Sequence, residues 1–214
     1  MHPSVRNVPL EDKSIKVVDN LKDFVDEGFS SETNVILFRR RLSANFNAAA
    51  GDLCEIFALR QEDYKGIKQL SEAELEAAYL QASGETRKAL GIIIDDIRSQ
   101  KEIWDEVSLR LITPSGGDKT YHTDGADNGL GRVLCSYNGP ATEGLVPEET
   151  TIDKQGFYIA APDAKPFAFR VGDLWRCAGS RGVKNANVPP FVHRAPGSKN
   201  PRLLLVGDVR RAGF

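Results

Sequence analysis

The chain is short of the residues that usually announce a function. It carries three cysteines, Cys54, Cys135 and Cys177, widely spaced and without a C-x-x-C pair. An odd, scattered set argues against a disulfide framework and a thiolate zinc site, and reads as small buried hydrophobes. No apolar run is longer than a few residues, far short of a membrane span. Met1-His2-Pro3-Ser4 lacks the basic start and apolar stretch of a secretory leader. These absences make a reducing cytoplasm the expected setting. Neither sign of charge dominates: 28 lysines and arginines face 30 aspartates and glutamates, for a net charge of −2. A general nucleic-acid binder normally shows a basic excess, and the densest basic run, Arg39-Arg40-Arg41, is too short to supply one. Internal repeats and low-complexity segments are missing as well.

What remains is globular in composition, with 41% hydrophobic and 27% charged residues, enough for a core of useful size. The first half reads as mainly helical. Val17, Val18, Leu21, Phe24 and Val25 recur at helical spacing. Ser43 is placed to cap a helix whose apolar face runs from Phe46 to Phe57. Ser71-Glu72-Ala73-Glu74 has the capping-box pattern, and Leu90, Ile93, Ile94 and Ile97 continue a stripe towards Trp104. Asn34–Phe38 is the exception, a short apolar run that fits a buried strand.

The character changes near Glu106. Val107, Leu109 and Leu111 alternate with other residues as in a half-buried strand. Further strand candidates are Thr120–Asp124, Arg132–Tyr137, Gly156–Ala160, Phe167–Val171, Leu174–Cys177, Phe191–Arg194 and Leu203–Val206, separated by turns rich in glycine, proline and aspartate. Many short strands of this kind indicate a sandwich or barrel. The expectation is an α+β chain: a mainly helical supporting region at 1–105, packed without a linker on a β core at 106–214, the two forming one continuous domain.

Three histidines are present, and two stand where a metal site needs them. His122 and Asp124 form an H-x-D pair. Residues i and i+2 of a strand share a face, so both can point into a barrel while Thr123 points away. The plain alternative is a surface histidine beside a turn aspartate, since Gly125 follows. His193 lies in Phe191-Val192-His193-Arg194, with Arg202 nine residues on. Two imidazoles and a carboxylate are the donor set of the facial triad that holds non-haem iron(II). An arginine one strand further could hold a cosubstrate carboxylate through paired hydrogen bonds. Arg202 is costly to bury without an anion, and a protein carboxylate is the other candidate for its partner. Tyr137 could hydrogen-bond a cosubstrate, although a strand tyrosine more often packs. Thr142 and Glu143 follow a Gly-Pro turn and could border the pocket, the simpler reading being a loop-stabilising pair; Trp175 reads as core, and Arg194 as a surface or supporting group on the opposite strand face from His193.

The order H-x-D, Gly172-Asp173 turn, His193, Arg202 resembles that of the 2-oxoglutarate/iron(II)-dependent oxygenases. The resemblance implies a double-stranded β-helix (jelly-roll, cupin-like) barrel, with Fe(II) on His122, Asp124 and His193 and 2-oxoglutarate on Arg202. A narrower likeness covers most of the chain. The block from Arg132 to Glu143 is similar to the signature of a bacterial family, domain-of-unknown-function family 1826. Leu109-Arg110-Leu111, Tyr121-His122-Thr123-Asp124, Val192-His193-Arg194-Ala195-Pro196 and Arg202-Leu203-Leu204-Leu205 match its other blocks. Tyr121 replaces the usual phenylalanine, and Gly144 stands where a tryptophan usually follows the glutamate, a change that could widen the pocket or alter the choice of substrate. The implied activity is hydroxylation or oxidative demethylation of a small-molecule or peptide substrate. Two other readings stay open. One is a cupin-type metalloenzyme without 2-oxoglutarate, in which Arg202 holds the substrate's own carboxylate. The other is a non-catalytic protein that binds or senses a divalent metal. No nucleic acid or membrane is expected as a partner, and the helical half offers a surface for a homodimer.

Overall fold

Short runs that are apolar on both faces become the inner strands of a large sheet, and helices cover one side of it. The computed structural model describes residues 5–59, 66–125, 131–179 and 187–208. In chain order the elements are β1 (Arg6–Asn7), β2 (Ile15–Val18), α1 (Leu21–Asp26), β3 (Val35–Phe38), α2 (Phe46–Ile56), β4 (Ile67–Leu70), α3 (Glu72–Gln81) and α4 (Gly84–Lys101). The second half adds β5 (Glu106–Ile112), β6 (His122–Thr123), β7 (Arg132–Ser136), β8 (Glu143–Leu145), β9 (Thr150–Ile152), β10 (Tyr158–Ala160), β11 (Phe167–Ala168), β12 (Leu174–Cys177), β13 (Val192–Arg194) and β14 (Arg202–Asp208).

Seven strands form the larger sheet in the order β2-β3-β12-β7-β14-β5-β4, and five form a smaller one in the order β1-β11-β8-β13-β6. The strands β9 and β10 pair as a separate antiparallel hairpin. Among the described residues no strand hydrogen-bonds into both sheets, so the architecture is a mixed α+β one, mostly sheet, without a closed barrel. None of the described helices is long and apolar enough to cross a membrane.

Strand alternation divides the core in two. From β14, Leu203 and Leu205 join a cluster with Leu53, Leu90, Ile93 and Ile97 of the helices, whereas Leu204 and Val206 join one between the sheets with Trp175, Phe167 and Phe191. Both faces of β14 are therefore buried, which is why it reads as a continuous Leu-Leu-Leu-Val run. Leu109 and Leu111 of β5 face the helices in the same way, and Arg110 is turned to the other side.

A largely buried polar network, with Tyr137 fully enclosed, fastens α4 to this sheet. Arg40 makes a bidentate pair with Asp96 at 2.6 Å for each arm, and the Tyr137 hydroxyl donates to Asp96 Oδ2 at 2.7 Å. Arg176 is fully buried; its guanidinium donates to the carbonyls of Phe24, Val25 and Glu27 at the end of α1. Those carbonyls lack helical partners, and an arginine is a favourable donor there.

Several sequence expectations are corrected. Residues 17–25 are not one helix: β2 ends at Val18, and Asn20 caps a separate α1 by accepting from the Asp23 N–H. The cap of α2 is Asn45, which accepts from Ala48, not Ser43. The capping box at Ser71 and Glu74 is formed. The first half also supplies β2, β3 and β4, three of the seven strands of the larger sheet. In β4 the alternation is masked, because only Leu70 of Ile67–Leu70 is fully buried.

Candidate metal centre and anion pocket

His122 of the H-x-D pair lies on β6, an edge strand of the smaller sheet, with Asp124 just past its end, and β13 pairs with β6 antiparallel so that His193 stands directly opposite His122. Asp124, two residues past His122, falls on the same side. One donor atom from each of the three residues lies within 4.8 Å of the others. His193 and Asp124 are buried, and His122 is partly exposed at the mouth.

Each imidazole is oriented by its own strand. The Nδ1 of His122 lies 2.9 Å from the Thr120 carbonyl, and that of His193 makes a longer 3.4 Å contact with the Phe191 carbonyl. A carbonyl can only accept, so Nδ1 carries the hydrogen and, in the neutral ring, Nε2 presents its lone pair. The His193 Nε2 is 3.3 Å from Asp124 Oδ2. Lone pairs therefore converge on one point with a carboxylate, an arrangement that a cation satisfies. Arg132 fixes Asp124 from behind: it hydrogen-bonds Asp124 Oδ1 while its other nitrogens pair with Asp208 at 2.7 and 3.0 Å. Burial alone would raise the Asp124 pKa. A hydrogen bond from the His193 ring in its doubly protonated form, and the positive charge around the carboxylate, outweigh burial and hold it down at about 2, so the carboxylate is ionised, as a metal ligand requires.

Across the interior, Arg202 begins β14 of the larger sheet and lines the same cavity as His122, Asp124 and His193. It is only 3% exposed, and its Nε and Nη2 have no hydrogen-bond partner among the described residues. Burial pulls its pKa down to about 10, opposed by the charge of Glu143. Glu143 itself is engaged by Arg194, whose Nε and Nη2 lie 2.7 Å from its Oε2. The alternative foreseen for Arg202, a contacting protein carboxylate, is therefore not what the described residues provide.

Tyr137 is elsewhere. It is fully buried on the helical side of the larger sheet, bonded to Asp96, and it does not line the cavity. Strand parity explains this: Tyr137 shares the face of Val133 and Cys135, whereas Leu134 faces the pocket. The reading of Gly144 is corrected as well. A Cβ there would lie 2.3 Å from the Phe191 ring and 2.9 Å from that of Phe167. Phenylalanine rings fill that space, so the glycine packs the inter-sheet core and does not widen the pocket. Trp175 is core, stacked on Phe169 at 4.2 Å with its edge towards His193. Thr142 and Arg194 border the cavity, and Arg194 also covers the Tyr121 ring at 4.4 Å.

Sequence reasoning missed Arg110 and Arg132 as pocket residues. Arg110 was legible, since an arginine between two core leucines must face away from them. Arg132 was not, because its role depends on Asp208, 76 residues away.

The pocket mouth is shaped by a close crossing of two loops. Gly116 passes so near Gly66 that a Cβ on it would lie 2.0 Å from the Gly66 carbonyl oxygen. Only glycine allows this approach, and it sets the turn that delivers Gly117 and Asp118 to the rim.

The family described as "Protein of unknown function (DUF1826)" matches residues 19–208, and the chain belongs to that family. No curated protein matches it. Among solved structures it is similar to a dioxygenase for auxin oxidation in rice, at 12% identity and a TM-score of 0.43, covering 91% of this chain and 82% of that one. It is also similar to a full-length Neurospora crassa protein solved in complex with alpha-KG and thymine, at 11% identity and a TM-score of 0.48, covering 94% and 87%. Likeness at this level says nothing by itself about chemistry.

Proposed function

We propose that this protein is a non-haem Fe(II)/2-oxoglutarate-dependent oxygenase, built on a jelly-roll (double-stranded β-helix) variant of the two-sheet fold and carrying out hydroxylation or oxidative demethylation. The observation that carries this reading is Arg202. A guanidinium buried without a contacting anion among the described residues, in the same cavity as a convergent His-Asp-His donor set, is costly unless a ligand completes it. In this reading His122 and His193 bind the metal through Nε2 and Asp124 through its carboxylate. Arg202 receives the distal carboxylate of 2-oxoglutarate by paired hydrogen bonds. Iron(II) and 2-oxoglutarate, when bound, supply the oxidising chemistry.

The rest is done by the chain. Carbonyls of Thr120 and Phe191 hold the imidazoles in one tautomer, and Arg132 holds Asp124 in orientation. Phe191, stacked on His193 with ring centroids 5.5 Å apart, keeps that side of the site apolar and dry.

The test is anaerobic titration of metal-free protein with iron(II) and then 2-oxoglutarate, following the visible charge-transfer band of the chelate. A band that vanishes in His122→Ala and weakens in Arg202→Ala supports the proposal. Stoichiometric metal binding without a band would remove 2-oxoglutarate and leave a cupin-type metalloenzyme or a metal sensor.

A further inference from the structure

Arg202 is not the only guanidinium in this cavity that lacks a contacting anion among the described residues. Arg132 is engaged by Asp124 and Asp208, and Arg194 by Glu143. Arg110 lines the same cavity, half-buried, and among the described residues makes no ion pair or hydrogen bond. The register of β14 on β5 sets Arg202 opposite Ile112 and Leu204 opposite Arg110. Arg110 and Arg202 therefore rise from one face of the sheet as diagonal neighbours, a spacing that separates two anions without isolating them.

Charge decides what the second arginine is for. In the reading above, the distal carboxylate of 2-oxoglutarate takes Arg202, and its other end lies towards the metal. That leaves Arg110 positively charged in a cavity about to be closed by substrate. Burial already disfavours its charge, as does the charge of Arg132, while Asp208 and Asp124 oppose this only through space. Covering such a group with a neutral substrate would strand it, whereas a substrate with its own anion would complete it.

We propose that Arg110 is a specificity-determining residue that receives a carboxylate or phosphate group of the substrate, so that the pocket selects small organic anions. The proposal rests on the oxygenase reading for the occupant of Arg202, but not for the existence of a second anion site. An arginine fork suits both carboxylate and phosphate, so acetate and inorganic phosphate are the probes, and the tighter binder gives the class.

The experiment uses the full chain loaded with Mn(II), titrated with each probe with and without saturating 2-oxoglutarate. Binding is read from the melting temperature and from paramagnetic broadening of the probe's 13C or 31P resonance. The wild type should bind one probe in the presence of 2-oxoglutarate. Arg110→Gln should weaken it at least tenfold while 2-oxoglutarate binding stays within about twofold, and Arg110→Lys should fall between. Arg202→Gln should keep the probe and lose 2-oxoglutarate. Equal probe binding by Arg110→Gln and wild type overturns the proposal. So does one-for-one displacement of the probe by 2-oxoglutarate, which would mean a single shared anion site, and so does a wild type that binds neither probe. If 2-oxoglutarate fails to bind the wild type, the oxygenase reading falls, and the comparison of probes without it still decides Arg110. If Arg110→Gln and Arg110→Met both lose cooperative melting, the arginine is structural and the proposal fails.

Discussion

His122 and His193 face each other across the β6–β13 ladder with ring centroids 4.6 Å apart, each with Nδ1 turned to the carbonyl two residues before it. One strand pairing therefore places both imidazoles and fixes both tautomers without help from distant side chains. Such a site is largely formed before metal arrives, so metal binding should act on stability and not on shape. A ligand at a hundred times its Kd stabilises by about 2.7 kcal/mol. In a chain of this size that is a rise of roughly 5–10 °C in melting temperature. Excess Mn(II) or Zn(II) should produce this rise, EDTA should reverse it, and His193→Ala should abolish it. A wild-type melt indifferent to every divalent metal would end the metal-site reading.

Arg202 should trade stability for binding. With Nε and Nη2 buried and unpartnered among the described residues, it is a cost to the ligand-free fold. Arg202→Met keeps much of the volume and removes that cost. It should melt above the ligand-free wild type, by about 1–3 kcal/mol of added stability, and yet show no stabilisation by 2-oxoglutarate on metal-loaded protein. A large loss of stability in Arg202→Met would point to a structural partner instead.

The Arg40–Asp96–Tyr137 network makes the opposite prediction. Here each group is satisfied by the others, so removing one strands the rest. Asp96→Ala should cost about 3–5 kcal/mol, read from denaturant midpoints. Arg40→Met combined with Asp96→Leu should recover much of it, since a buried pair is often replaceable by apolar residues. If Asp96→Ala costs less than about 1 kcal/mol, the network does not hold α4 to the sheet.

The parts of this protein legible in the sequence are those that local physics writes. The capping box at Ser71, the stripe of α4 and the H-x-D pair each depend on neighbours a few residues apart. The Leu203–Val206 run was legible as a strand for the same reason. What escaped depends on distance along the chain. β2 passed for helix because its apolar pair, Val17 and Val18, continues at helical spacing into α1, and only the Asn20 cap divides them. β4 escaped because its pairing with β5, not its own pattern, makes it a strand. Tyr137 was misplaced because the face of a strand follows from parity in a sheet whose two sides are both buried. The candidate ligands were readable as a set, but the lack of a contacting anion for Arg202 and Arg110 among the described residues was not, since it shows only once distant strands are brought together.

The cysteines predict how the fold responds to alkali. Burial pushes the Cys135 thiol up to about 11, with Arg40 partly offsetting it, and burial holds Cys177 and Tyr137 well above their ordinary values. A free thiol in the unfolded chain titrates near 8.5. Between about 8.5 and about 11 the unfolded state has lost a proton that the native Cys135 keeps, so stability must fall as pH rises. The contribution from Cys135 is fully present below about pH 8.5 and lost as pH climbs through about 11, with a slope of about 1.4 kcal/mol per pH unit for each such group. Denaturant midpoints should therefore drop between about pH 8.5 and about pH 11, and Cys135→Ala should shallow that slope. Reactivity follows the same logic, because the thiolate is the nucleophile. Iodoacetamide at about pH 8 should modify only Cys54, the one cysteine not fully buried, and slowly, because burial raises that thiol too. Cys135 and Cys177 should react only after denaturation, as peptide mass mapping would show. Labelling of Cys177 in the native protein as fast as Cys54 would mean that the inter-sheet core beside the candidate metal centre opens to solvent.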